Sequence, residues 1–376
     1  MAPEIQAVGR WIGDTADCLT VPREVETPAS AELLTLVAPS FEMRPPEVRH
    51  RDSIPDGIAR AMAVSWDRGN FPQHAVRFSL LEDVYVVAEG LVVDAAGQVL
   101  KGSVTQHSPG EIAHAHAAVK AAMRDRSTPW QTGTYVLCTK RGAKNFGHWL
   151  IEMLPKAYLA QQHLGSMTPR YIVPAADGGM RQVVGDSLAM LAIDPAAVLP
   201  VGPEPIWIER LILVEGLTHH GVYMSPLVME CIDSLVARVE GTGGERLFVT
   251  RTGASRRFVN EAEILRYAEV SGFALVEPGR LSLAAQIAAF KNAKEIVGVS
   301  GAEMTNIAFA PRGARVMNIA PAGMPDTFFW FIAGLRGHTY AELRCAQTGP
   351  CRGVAGWDTD LVLEREDMYD LFRNTA

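Results

Sequence analysis

The sequence predicts an α/β protein of two domains. Three observations carry that reading. Between Arg246 and Ile319, four short apolar strands alternate with helix-length segments, the pattern of a parallel sheet with helices on both faces. Between Ala75 and Gly216, alternating β-like runs give way to a second strand–helix alternation. At 376 residues the chain exceeds the usual single-domain length, and Gly241-Thr242-Gly243-Gly244 supplies a glycine linker between the halves.

Residues 1–60 are rich in Pro and Glu with weak periodicity, and are expected as an irregular extension that wraps the surface. VRFSL, DVYVVAEG and LVVDAAGQVL follow, an N-terminal β-rich stretch in which Asp94-Ala95-Ala96-Gly97 forms a hairpin turn. Tyr135 to Thr139 is the next strand, followed by the loop KRGAKNFG. A helix runs from Gly147 to Leu164, with Trp149, Leu150, Met153, Leu154, Ala157 and Tyr158 on one stripe and Pro155 predicting a kink. Strand YIVP, a helix from Met180 to Leu191 and strand WIERLILVEG complete this half, and a helix from Ser225 to Glu240 leads to the glycine linker.

The second half reads as strand LFVT, a helix from Asn260 to Ser271, strand FALV, a helix from Ser282 to Asn292, strand EIVGVS, a short helix from Ala302 and strand RVMNI. After Arg344 the pattern turns irregular, and LVLEREDMYDLFRN closes the chain as an amphipathic segment. The expected domains are therefore 1–225, 226–345 and a tail over 346–376.

Composition narrows the function classes. A formal net charge of −7 argues against a nucleic-acid partner, whose binding surface is basic. No run reaches the roughly 18 apolar residues of a membrane span. The first residues have neither the basic nor the apolar region of a secretory signal. Five scattered cysteines (Cys18, Cys138, Cys231, Cys345, Cys351) read as reduced thiols in a cytosolic protein. The expected location is the cytoplasm, with the inner face of the membrane and peripheral association as the variant.

In parallel sheets, ligands sit at the carboxyl ends of the strands. Arg251 falls there, with Arg256 and Arg257 close behind, and Ser300-Gly301-Ala302 falls at the end of a neighbouring strand. Guanidinium groups beside a small-residue turn that opens a helix make a diphosphate-shaped site. The bland alternatives are a solvated charged loop and an ordinary strand-to-helix turn. Glu303 suits the helix dipole but repels a diphosphate unless it turns toward ribose hydroxyls. Arg256 and Arg257 are adjacent and point apart on regular structure, so one of them faces the ligand.

Asn145-Phe146-Gly147-His148 opens the long helix, and His148 and Glu152 lie one turn apart on it. Either is a candidate general base, and a buried structural histidine is the bland reading. His114 and His116 face different sides of a helix, which disfavours zinc. His219-His220 lies in a loop near the domain boundary. Asp358-Thr359-Asp360 reads as the N-cap of the last helix. Neither dinucleotide nor P-loop fingerprint occurs.

NFGHWLIEMLPK, LFVTRTGASRRFVNEAEI and LSLAAQIAAFKNAKEIVGVSGAEMTNIAFAPRG, in that order, resemble glycosyltransferase family 61 over roughly Val84 to Ile319. The resemblance implies a GT-B architecture, two Rossmann-like domains facing across a cleft, and inverting transfer from a nucleotide sugar. It implies a donor in the C-terminal domain and a glycan or lipid-linked saccharide acceptor in the N-terminal one. Arg251 and Arg257 match the family's arginines, Asn260-Glu261 its Asn-Glu pair and His148 its His-Trp motif, with Thr305-Asn306 closing the last turn. The family's His-Gly-Ala-Gly is replaced by Ser300-Gly301-Ala302-Glu303. The expected function is a glycosyltransferase of bacterial surface polysaccharide (capsule or exopolysaccharide) synthesis. It would use a UDP-sugar without a metal or other cofactor. A degenerate binding or scaffold protein and another nucleotide-sugar enzyme are the alternatives.

Overall fold

The computed structural model describes residues 22–125, 128–251, 255–351, 353 and 355–373. Cys18 and the leader reading lie outside them, as does part of the loop after Arg251. The chain divides into two compact units. The first comprises Met1–Ser40, Pro72–His220 and Met224–Cys231; the second comprises Phe41–Phe71, Gly221–Tyr223 and Ile232–Ala376. The division is discontinuous because residues 41–71 fold with the C-terminal part.

The first unit is built on a nine-stranded mixed sheet. Trp130–Leu137, Arg170–Pro174 and Val198–Val201 run parallel, and Ile206–Glu215 runs parallel to Trp130–Leu137 on the other side. His74–Val87 then pairs antiparallel to Ile206–Glu215 over nearly its whole length. Glu32–Ala38 pairs along His74–Val87, so part of the supposedly irregular extension is sheet. The expected Asp94–Gly97 turn is present: Gly97 has φ +78°, and the Asp94 carboxylate accepts the Gln98 N–H at 2.7 Å.

The long helix departs from regular α geometry where proline predicts it. Phe146–His148 is α-helical, Trp149–Met153 is a π turn and Leu154–Leu164 is α-helical again. Pro155 has no N–H to donate, and the wide turn before it accommodates its ring. Trp149 through Ala157 are buried on every side, so this segment is a core helix and not a one-sided amphipathic one. The Trp149 indole donates to Ser187 Oγ at 2.9 Å.

The second unit carries a six-stranded parallel sheet in the order Ala274–Val276, Arg246–Val249, Glu295–Val299, Arg315–Pro321, Thr339–Cys345 and Glu47–Arg49. Thr339–Cys345 and the preceding helix Phe328–Arg336 were not among the expected elements. The almost continuous apolar run of Phe328–Arg336 resembles a buried helix and a buried strand equally well, and the polar residues of Thr339–Cys345 mask its strand. One face packs Phe248, Val297, Ile319 and Leu343 against Ile264, Met368 and Phe372 of the flanking helices. The last helix is Arg365–Phe372 with Glu364 at its N-cap position, so Asp358 and Asp360 lie ahead of it and are not its N-cap.

Among the described residues no helix is long and apolar enough to cross a membrane. Cys138, Cys231, Cys345 and Cys351 are free thiols.

Candidate active-site residues in the two units

In the first unit the loop after Trp130–Leu137 brings a buried lysine to a buried carboxylate. Lys140 Nζ donates to Glu152 Oε2 at 2.9 Å and to Gln106 Oε1 at 3.1 Å. His148 Nδ1 contacts the same Glu152 oxygen, and His220 Nδ1 lies 3.5 Å from the other. The two imidazole rings are 4.9 Å apart between centroids. Burial alone would raise the Glu152 carboxyl, but contacts from His148 and His220 and the charge of Lys140 outweigh it and hold it well below the usual carboxylate range. Glu152 is therefore ionised, and His148 must donate Nδ1–H to it. Burial lowers the His148 pKa against the opposing pull of Glu152, so the ring is neutral at pH 7 with its lone pair on Nε2.

The surrounding loop fixes this arrangement. Asn145 caps the helix start, accepting the N–H groups of Gly147 at 2.8 Å and His148 at 3.2 Å. Gly142 has φ +85°, and a Cβ there would sit 2.8 Å from His148 Cδ2 and 3.1 Å from Nε2. Its N–H donates to Glu89 at 3.0 Å, from a turn in which Ala88, Glu89 and Gly90 all have positive φ. The sequence reading gave His148 and Glu152 the same possible role; the geometry separates them. Glu152 is 1 % exposed and fully engaged, which leaves it an orienting group, and His148 is the candidate base. Lys140 went unrecognised in the sequence, and His219-His220 was read only as a loop pair that could line the cleft, because neither Lys140 nor His220 is at helical spacing from His148. His148, Glu152 and His220 could also hold a metal, since one ligand atom of each lies within 4.8 Å of the others. Lys140 already supplies a positive charge to that carboxylate.

In the second unit, Arg251 leaves the end of Arg246–Val249 and folds onto the turn after Glu295–Val299. Its Nη1 donates to the Ser300 carbonyl at 3.0 Å, and its Nε is 3.2 Å from Glu303 Oε2. The guanidinium packs against Gly301, where a Cβ would meet Nη1 at 2.4 Å. Ala302 begins a 3-10 helix, Ala302–Phe309, whose first turn has no side-chain cap. Asn306 Nδ2 donates to the Glu303 carbonyl at 2.8 Å and pins the turn from inside. Ser300 Oγ and Thr305 Oγ1 are buried and have no hydrogen-bond partner among the described residues.

Arg256 has φ +63°, a left-handed conformation that a non-glycine residue adopts only when its surroundings enforce it. Its Nη1 reaches Met324 Sδ at 3.4 Å, and its Nε is 3.9 Å from Asp358. Burial lowers its pKa, as does the charge of Arg251, while Asp358, Asp326 and Glu303 oppose them. The Nε atoms of Arg251 and Arg256 make charge contacts but no aligned hydrogen bond. Arg257 turns the other way, half-exposed, with Nε 3.9 Å from Asp360. The two neighbours do diverge, and Arg256, not Arg257, shares charged surroundings with Arg251. Asn260 Nδ2 donates to the Leu363 carbonyl at 2.8 Å and staples two backbone segments, while Glu261 opens the Glu261–Val270 helix. Asp358 and Asp360 are counter-charges to the arginine loop, a role hidden by the hundred residues between them.

Two groups thus result: a neutral imidazole held by a buried carboxylate, and two buried guanidiniums at the carboxyl ends of parallel strands. No curated protein matches the chain. Residues 146–317, which begin beside His148 and include Arg251, Arg256 and Ser300 through Asn306, match the family described as Glycosyltransferase 61. That match over residues 146–317 supports a glycosyltransferase family 61 domain in this chain, and with it a glycosyltransferase.

Proposed function

We propose that the protein is an inverting, metal-independent transferase that moves a sugar from a nucleoside diphosphate to a glycan hydroxyl, in a GT-B arrangement. The second unit takes the nucleotide sugar and the first takes the acceptor. One observation carries the donor assignment: Arg251 and Arg256 bury cationic N–H groups without aligned acceptors beside an uncapped helix start. Such unmet donors suit phosphate oxygens. Asn260 and Arg257 support the loop in this reading, and Ser300, Gly301 and Thr305 line it.

In the reaction, the acceptor oxygen attacks the anomeric carbon as the bond to the diphosphate breaks. The acceptor proton passes to His148 Nε2, and the diphosphate leaves with the bonding pair, stabilised by Arg251 and Arg256. Glu152 and Lys140 hold the imidazole in its Nδ1–H tautomer. A bacterial surface polysaccharide is the proposed product and a UDP-sugar the proposed donor, both on the resemblance alone.

The test is a thermal-shift panel of nucleoside diphosphates and nucleotide sugars, with Mg²⁺ and with chelator. A ligand at about 100 times its Kd stabilises by about 2.7 kcal/mol. A shift with one nucleotide that survives chelation and is lost in Arg251→Ala is expected. No shift with any nucleotide overturns the donor assignment, and a shift that requires Mg²⁺ overturns its metal independence.

A further inference from the structure

Asp358-Thr359-Asp360 takes no part in the reaction above, yet it lies against the arginine loop. Ser255 through Asn260 and Asp358 through Leu363 run side by side at a separation of 103 residues. Ser255 Oγ donates to Asp358 Oδ1 at 3.0 Å. The Leu361 N–H donates to the Arg257 carbonyl at 2.8 Å, and the Val259 N–H donates to the Leu361 carbonyl at 2.9 Å. Phe258 and Leu361 form a parallel bridge between the two segments. The pairing is anchored from below, since Phe258, Leu361 and Leu363 belong to one apolar core of the second unit. Its tail strand lies beyond residues 146–317, the part of the chain that matches the family.

Arg256 sits inside this pairing, and its φ of +63° has its cause there. The tail fixes the residue on either side of it, Ser255 through its hydroxyl and Arg257 through its carbonyl. A non-glycine residue stays in the left-handed region only when its surroundings hold it there. Nε of Arg256 then faces Asp358 Oδ1 at 3.9 Å. Burial and the like charge of Arg251 both act against a cation at Arg256, and Asp358 is first among the charges that favour one.

We infer that Asp358 is a positioning residue for the donor: from the C-terminal tail it holds the Arg256 guanidinium in the surroundings of Arg251, where both can meet one diphosphate. This inference rests on the proposed donor assignment and adds to it a residue that touches no ligand. Asp358 differs in this from Glu303. Glu303 stands in the turn where the phosphate is placed and competes with it, whereas Asp358 meets the Nε edge of Arg256 and ties the loop through Ser255. Without the Asp358 charge the two guanidiniums repel each other, and Arg256 leaves its strained conformation.

The experiment is isothermal titration of the full-length protein with inorganic pyrophosphate, a probe that carries the diphosphate without base or sugar. Asp358→Asn keeps an oxygen for the Ser255 hydroxyl and removes the charge, and is expected to weaken binding about tenfold at wild-type Tm. Asp358→Glu restores the charge and is expected to bind within about threefold of wild type. Arg256→Ala is expected to lose at least as much affinity as Asp358→Asn. Asp358→Asn added to Arg256→Ala is expected to lose nothing further, because the aspartate acts through that arginine alone. Unchanged or tighter binding in Asp358→Asn, a further loss in the double variant, or an Asp358→Glu as weak as Asp358→Asn each overturns the inference while the donor assignment stands. Wild-type protein that binds no pyrophosphate, or binding that survives both Arg251→Ala and Arg256→Ala, removes the donor assignment and the inference with it.

Discussion

Glu303 holds its carboxylate 3.2 Å from Nε of Arg251 while the same guanidinium donates to the Ser300 carbonyl at 3.0 Å. Glu303 thus occupies the position that a phosphate oxygen takes in the proposed complex. A bound diphosphate would displace this carboxylate and face its charge across a few ångströms. Glu303→Gln is therefore expected to tighten nucleoside diphosphate binding about tenfold, the equivalent of about 1.4 kcal/mol of like-charge repulsion after solvent screening. Isothermal titration checks it. Weaker binding in the variant would mean that Glu303 serves mainly to aim Arg251.

Gly301 offers a cleaner separation of binding from stability. Its φ of +169° is ordinary extended backbone, so alanine brings no conformational strain there. An alanine Cβ would meet only the far end of the Arg251 side chain, at 2.4 Å from Nη1 and 2.6 Å from Cζ. A flexible side chain moves aside at small cost to the fold. Gly301→Ala is expected to leave Tm within about 2 °C of wild type, a sub-kcal/mol change for a domain of this size, while nucleotide affinity falls about tenfold with the misplaced guanidinium. Equal affinity would show that Arg251 does not bind donor from this position.

Much of this arrangement was legible in the sequence, and the unread part has a common cause. The strands Arg246–Val249, Glu295–Val299 and Arg315–Pro321 announce themselves by apolar runs closed by turn residues, and with them the places of Arg251 and Ser300. His148 and Glu152 are four apart on one helix, so local spacing finds them. His220 reaches Glu152 across 68 positions, and Asp358 reaches Arg256 across 102. No local period encodes such pairs. Asp358-Thr359-Asp360 looked like a cap because caps are a local signal and counter-ions are not. The antiparallel strand His74–Val87 beside Ile206–Glu215 was equally hidden, since strand direction depends on the path between strands.

The acid–base cluster predicts a pH response with two limbs. The His148 pKa lies below its ordinary 6.5, chiefly through burial, so the base stays unprotonated at pH 6.5 and activity falls only in more acidic solution. The unfolded chain protonates this histidine first, and stability therefore declines as pH drops below 6.5. Glu152 acts in the same direction: its folded pKa lies well below 4.5, so its ionic contacts stabilise the fold above that pH and are lost as pH falls through the folded value. Lys140→Met leaves Glu152 buried without its cation and is expected to lower stability by about 3 kcal/mol or more. A kcat/KM profile with its acid limb above pH 6.5 would remove His148 as the base.

The last prediction concerns a helix far from the arginines in sequence. Asp56–Trp66 belongs to the second unit, where Arg344 lies buried with its Nη2 3.3 Å from Met62 Sδ and its guanidinium 5.9 Å from the Trp66 ring. The same Arg344 ion-pairs with Glu342 and donates to the carbonyls of Met324 at 2.7 Å and Pro321 at 3.2 Å. Met324 in turn touches Arg256. Trp66 is 2 % exposed, so Trp66→Ala opens a large cavity beside a buried charge and is expected to lower stability by about 3 kcal/mol or more. Because Arg344 anchors the loop beneath Arg256, nucleotide affinity should fall along with it, although Trp66 itself has no part in the binding. Denaturant titration and nucleotide titration of the one variant check both effects. Stability lost with affinity intact would show that Arg256 is positioned by Asp358 alone.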